Sequence, residues 1–175
     1  MTRYLAVDLG DRRTGTATGD DQTGFVAPGA VLEVPRGPRL LERLAAAADE
    51  ADADAVVLGL PVNMDGTEGP RARLTRAFAG ELAGATRRPV HLQDERLTSF
   101  AAEGVLAGSG RTRREKKRRR DALAAAELLR DFLEAGGGKA GGEVVRPGDG
   151  DAGDGPGDSS DAADASDAPD AAGDD

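Results

Sequence analysis

The chain has 175 residues, 31% of them charged, and a formal net charge of −9, a length that suits one ordinary domain with some chain to spare. It has no cysteine and a single histidine, which excludes disulfides and thiolate metal sites and leaves little for zinc. No apolar run approaches the ~20 residues of a membrane span and no basic segment leads into a long apolar stretch, so a cytoplasmic protein without membrane contact is expected.

Short apolar runs alternate with longer helical patterns along the chain, which predicts an α/β fold. "RYLAVDLG" (3–10), "TGTATGD" (14–20) and "FVAPGAVLEV" (25–34) read as three strands separated by Gly- and Asp-rich links, hence an antiparallel meander. Gly10 and Gly15 bracket a tight first hairpin whose Arg12 and Arg13 are expected to be exposed where a phosphate could lie. A helix over about 38–52 opens on proline and places Leu40, Leu41, Leu44, Ala47 and Ala48 on one face. "AVVLGLP" (55–61) is continuously apolar, the mark of a strand covered on both faces. A helix follows from about 69 to 87, with Leu74, Phe78 and Leu82 spaced by four; then a strand, "PVHLQDE" (89–95), and a short helix over about 98–107. A last helix is expected from Asp121 to about Ala135, closed by "GGG". From Gly148 to Asp175 ten aspartates occur without any Lys or Arg, whereas residues 1–147 hold 23 basic and 22 acidic side chains. The expected organisation is a folded domain over 1–137 and an acidic tail over 138–175, too poor in large apolar residues to fold. Screening of a basic patch within the same chain is the other role open to that tail.

Three acidic positions stand where elements end against a buried layer: Asp8, the pair Asp94 and Glu95, and Asp121. In the last helix Ala125, Leu128, Leu129, Phe132 and Leu133 form a core-facing stripe, and Asp121, four residues earlier, continues it. A helix-capping role explains Asp121 as well. Alternation along 90–95 puts Asp94 and Glu95 on opposite faces, and the polar face with Glu95 suits the wall of an open cleft better. Convergence of Asp8, Glu95 and Asp121 would raise their pKa values unless a cation sat among them. Carboxylates with water are the ligands of Mg²⁺ or Mn²⁺, and two such ions on a carboxylate cluster support phosphodiester hydrolysis. No small-molecule cofactor is implied.

"RTRREKKRRR" (111–120) carries eight basic residues and one acid and ends directly at Asp121. It reads as a flexible arm in which Arg113, Arg114, Lys116, Lys117, Arg118, Arg119 and Arg120 grip phosphates. With no Trp, one Tyr and four Phe, recognition of nucleic acid by backbone and shape is favoured over base stacking. "GLPVNMDGTEG" (59–69) passes from strand to helix through Asn63, Asp65 and Gly66; it is either a phosphate-contacting loop or an ordinary turn.

"AVDLGDRRTGTA", "VVLGLPVNMDGTEG", "DERLTSFAA" and "DALAAAELLRDFL" resemble, in order and spacing, the motifs of the YqgF/RuvX family, over about residues 3–134. The resemblance implies an RNase H-like fold with a mixed five-stranded sheet, a three-strand meander followed by parallel strands, flanked by helices. It also implies a nuclease that processes the 5′ end of pre-16S rRNA in ribosome biogenesis, related to Holliday junction resolvases, with RNA or structured DNA as partner. Carried over by motif, the catalytic and metal-binding acids are Asp8, Glu95 and Asp121. The resolvases add a fourth acid three residues after the first acid of the last helix, and Ala124 stands there. Asp11, where the family more often has Thr, is either a substitute ligand or a turn residue. A non-catalytic ribosome assembly factor that only binds nucleic acid is the competing reading.

Overall fold

The computed structural model of the chain describes residues 1–97 and 112–149. The expected helix over 98–107 and most of the acidic tail lie outside the described residues.

The first three strands are β1 (Arg3–Leu9), β2 (Thr14–Asp20) and β3 (Val26–Leu32), followed by α1 (Pro38–Glu50), β4 (Ala55–Leu60), α2 (Pro70–Thr86), β5 (Val90–Asp94), α3 (Arg113–Glu134) and β6 (Val144–Val145). The sheet order is β3-β2-β1-β4-β5-β6. β1 to β3 form the antiparallel meander, and β4 and β5 add in parallel to β1. Continuous burial of all six residues of β4 agrees with helices covering both faces of the sheet.

Period-two alternation sorts the strand residues into two cores. Leu5, Val7 and Leu9 join Val56, Leu58, Val90 and Leu92 under α1 and α2, with Leu40, Leu44, Phe78 and Leu82 closing that layer. Tyr4, Ala6, Ala17, Ala55 and Val57 face the other way, onto Ala125, Ala126, Leu128, Leu129 and Phe132 of α3. Asp8 continues the row of Tyr4 and Ala6, so its carboxylate lies on the α3 side.

Four expectations are corrected. The sheet has six strands, because Val144 and Val145, within the segment assigned by composition to the tail, pair antiparallel with His91 and Val90. Leu92 N donates to Glu143 O at 2.9 Å, and Glu143 also pairs with Arg76, so a two-residue strand too short to register as a pattern is held by the open edge of β5. Second, α3 begins eight residues before Asp121. Thr112 accepts from Glu115 N while Glu115 accepts from Thr112 N, a capping box that starts the helix, and Arg and Lys are good helix formers. The basic run is therefore the first two turns of a helix rather than an arm, and its single acid, Glu115, is the N3 partner of the Thr112 cap. Asp121, two turns in, is no helix cap. Third, Leu74 is 52% exposed; residues four apart drift by about 40° per step, and Ala72, Thr75, Ala79 and Ala83 carry the buried face with Phe78 and Leu82. Fourth, Glu95 opens a 3-10 turn over Glu95–Leu97 instead of ending β5.

Candidate functional site

The site forms where the C-terminal ends of β1, β4 and β5 meet the start of the third turn of α3. Asp8 sits near the end of β1, and burial, then repulsion from Asp121, raise its pKa to about 6, although Arg71 opposes the shift. Glu95 is raised further, to about 7, by burial and then by Asp8. Asp121 is also raised, mainly by burial, against the pull of Arg13, Lys117 and Arg120. Asp8 thus feels both other carboxylates and is the member common to the set.

Two glycines make this approach possible. A Cβ on Gly15 of β2 would stand 2.0 Å from the Asp121 carbonyl oxygen, so only glycine lets the α3 backbone lie against the strand beside Asp8. A Cβ on Gly59 of β4 would stand 2.6 Å from Glu95 Oε1; the bare strand is the floor on which Glu95 rests. Gly59 lies between the β1 and β5 rows, which is why a residue from the far strand reaches toward Asp8.

Asp94 is turned elsewhere. It accepts from Arg96 N at 2.9 Å and pairs with the Arg96 guanidinium at 2.6 Å, which holds its carboxyl below the usual range. Asp11 is exposed on the hairpin and lies 3.6 Å from Arg36, in keeping with a turn residue. Arg12 is exposed as expected. Arg13 is not: its Nε lies 3.4 Å from Asp121 Oδ2, with both side chains about one-fifth exposed. That oxygen is buried and has no aligned hydrogen bond. Gly10, Arg12, Arg13, Lys117 and Asp121 line a cavity of about 350 Å³ between the hairpin and α3.

The other basic positions fan out along α3. Arg114 and Arg118 both reach Glu33, which follows β3. Lys117, Arg118, Arg119 and Arg120 are exposed, Lys116 is half-buried, and Arg113 opens the helix. Asn63 is occupied within its own turn: its N–H donates to Thr67 O, its amide to Thr67 Oγ1, and its carbonyl accepts from Gly66 N. Thr67 N in turn donates to Asp65 at 2.9 Å. These N–H groups are spent on the turn, which favours the turn reading of this motif. His91 packs among Tyr4 and Phe132, at ring-centre distances of 6.1 and 5.2 Å.

Sequence reasoning missed Arg71. It is the second residue of α2, and its charge acts on both Asp8 and Glu95. The available signal was its place two residues after Gly69, at the sheet edge where the parallel strands end.

The donor set suits a hard divalent cation in chemistry: three carboxylates, all raised by burial, with Asp121 acting on Asp8 and Asp8 on Glu95, and one buried Asp121 oxygen without a hydrogen bond. Among the described residues, however, no set of three or more His, Cys, Asp or Glu side chains converges into a group that could hold a metal ion. Asp121 is engaged with Arg13 instead.

The model of the family described as "RuvX: Holliday junction resolvase" matches residues 2–135. The chain belongs to this family. A relative from Anaeromyxobacter sp. (strain Fw109-5), named "Putative pre-16S rRNA nuclease", is 46% identical over 132 residues, covering 75% of this chain and 96% of its own. Relatives of the same name from Pelotomaculum thermopropionicum and Geobacillus kaustophilus are 39% and 38% identical, covering 77% and 76% of this chain and 88% and 98% of theirs. Among solved structures, Thermus thermophilus RuvC in complex with a Holliday junction aligns at a TM-score of 0.49 and 16% identity, covering 78% of this chain and 97% of its own. The family description and the relatives' names are those of nucleases, and the chain's own fold is α/β with a mixed six-stranded sheet. No described helix is long and apolar enough to cross a membrane.

Proposed function

We propose that this RuvX-family chain is a divalent-metal-dependent endonuclease that trims the 5′ region of pre-16S rRNA during ribosome biogenesis in the cytoplasm. The observation that carries this reading is the shared electrostatics of Asp8, Glu95 and Asp121, delivered by β1, the turn after β5, and α3 onto one face of the sheet. Buried carboxylates that repel one another are costly unless their charge is used. Asp8, Glu95 and Asp121 are the residues that would hold two Mg²⁺ or Mn²⁺ ions, with water and substrate oxygens completing the coordination. When bound, such ions activate water and stabilise the leaving oxygen of a phosphodiester.

The chain's own groups do the rest. Gly15 lets the α3 backbone at Asp121 lie against β2 and Gly59 leaves room for Glu95, Arg71 moderates the charge on Asp8 and Glu95, and Arg13 pairs with Asp121. Arg12 and Lys117 line the neighbouring cavity, and the exposed cations of α3 offer a phosphate grip continuous with it.

One observation favours the non-catalytic reading: the acids as they stand form no converged ligand group among the described residues. The deciding experiment incubates the protein with a pre-16S leader transcript and with a four-way DNA junction, in Mg²⁺, Mn²⁺ or EDTA, beside Asp8→Asn and Asp121→Asn variants. Metal-dependent cleavage of the transcript, lost in both variants, is expected. Binding without cleavage in every metal would overturn the enzymatic assignment, and preference for the junction would replace RNA with DNA as the substrate.

A further inference from the structure

The first turns of α3 carry more positive charge than the described structure uses. Glu33 takes Arg114 and Arg118, while Lys116, Lys117 and Arg119 have no ion pair among the described residues. At the other end of the chain, residues 150–175 contain nine aspartates and no basic residue, and from Asp151 to Asp174 an aspartate recurs at every third or fourth position. The family match ends at residue 135, so the acidic segment lies outside it.

We propose that the segment 150–175 docks along the basic first two turns of α3, where Lys116, Lys117 and Arg119 are spread around the helix, and competes there with nucleic acid, an inference that rests on the nucleic-acid reading of these turns. Reach is sufficient: 26 residues span up to about 90 Å from Asp149, and α3, with 22 residues, is about 33 Å long. Charge is complementary, nine acids facing unpaired cations. A tethered ligand acts at an effective concentration on the order of millimolar. Non-specific nucleic-acid binding, with Kd about 10⁻⁴–10⁻⁶ M, is weak enough to be displaced by such a competitor, whereas a substrate that also fills the acidic site is not. The segment thus raises selectivity for structured substrate by removing the contribution of charge alone.

Two measurements test this. The chain has three lysines, Lys116, Lys117 and Lys139, so zero-length carbodiimide coupling reports which of them the tail carboxylates meet. Lys139 is nearest in sequence and marks an undirected tail. Coupling to Lys116 and Lys117 in excess of Lys139, lost at high salt, is expected; coupling confined to Lys139 would overturn the proposal. The second measurement is binding of a short oligouridylate in EDTA by the full chain and by a chain ending at Asp149, each with and without Lys116→Ala, Lys117→Ala and Arg119→Ala together. Truncation is expected to raise affinity about tenfold or more at low salt and to steepen the salt dependence, because counterions rather than the tail are then displaced. In the triple variant truncation is expected to change affinity less than about twofold. An equal gain in both backgrounds would assign the effect to net charge and overturn docking. If lysine coupling follows the expected pattern but neither chain binds oligouridylate, the nucleic-acid reading falls, and with it the competition.

Discussion

The two faces of the sheet are built by different rules. Under α1 and α2 the strands contribute Leu5, Val7, Leu9, Val56, Leu58 and Val90, large side chains that close a dry layer. Under α3 the sheet contributes Tyr4, Ala6, Ala17, Ala55 and Val57, with Gly15 and Gly59 nearby, and α3 answers with Ala125 and Ala126 nearer Asp121 and with Leu128, Leu129 and Phe132 farther along. Small residues bring the helix backbone close to the strands, and the row then ends in Asp8 rather than another aliphatic. One face supplies stability, and the other gives up packing area to hold charge where the strands end.

That contrast can be broken from either side. Asp8→Asn, Glu95→Gln and Asp121→Asn should each lower cleavage of the leader transcript by about two orders of magnitude or more while the protein stays folded, as judged by circular dichroism. On the opposite face Leu58→Ala should do the reverse, costing about 2–5 kcal/mol in denaturant unfolding with little change in activity per folded molecule. Gly15→Ala should be destabilising by more than about 1 kcal/mol, because the clash is with helix backbone, whereas Gly59→Ala meets only the Glu95 side chain and should act mainly on cleavage.

The smallest effect is in pH. Asp8 and Glu95 have folded pKa values of about 6 and about 7, above their ordinary values of 3.8 and 4.5. Between those limits the folded state binds more protons than the unfolded state, so metal-free stability should fall as pH rises from about 4.5 through 7 and level off above. Asp8→Asn removes part of that penalty: it should raise the melting temperature at pH 8 in EDTA, by on the order of 1–3 kcal/mol in stability, and flatten the profile between pH 5 and 8. A profile unchanged by Asp8→Asn would mean that the carboxylate is not strained.

Much of this face was readable from local pattern. Alternation in "RYLAVDL" places Asp8 opposite Leu5 and Val7, and the 3.6-residue period of α3 places Asp121 in line with Ala125 and Leu129. The start of α3 was less legible, since a dense basic run looks solvated until Thr112 and Glu115 are recognised as a capping box. β6 was not legible at all: two valines in a glycine-rich segment become a strand only because β5 leaves an edge unpaired. Arg71 and the Arg13–Asp121 pair were hidden for a related reason, as each joins elements far apart in the chain.

Side-chain periodicity and turn chemistry act over a few residues, so β1 to β5, α1, α2 and the candidate acids were already legible in the sequence. Tertiary contacts decided which acids share a field and that Arg13 rather than solvent meets Asp121. Those outcomes depend on sheet order and on the absence of a Cβ at Gly15 and Gly59, where backbone from one element occupies the space a side chain of another would need.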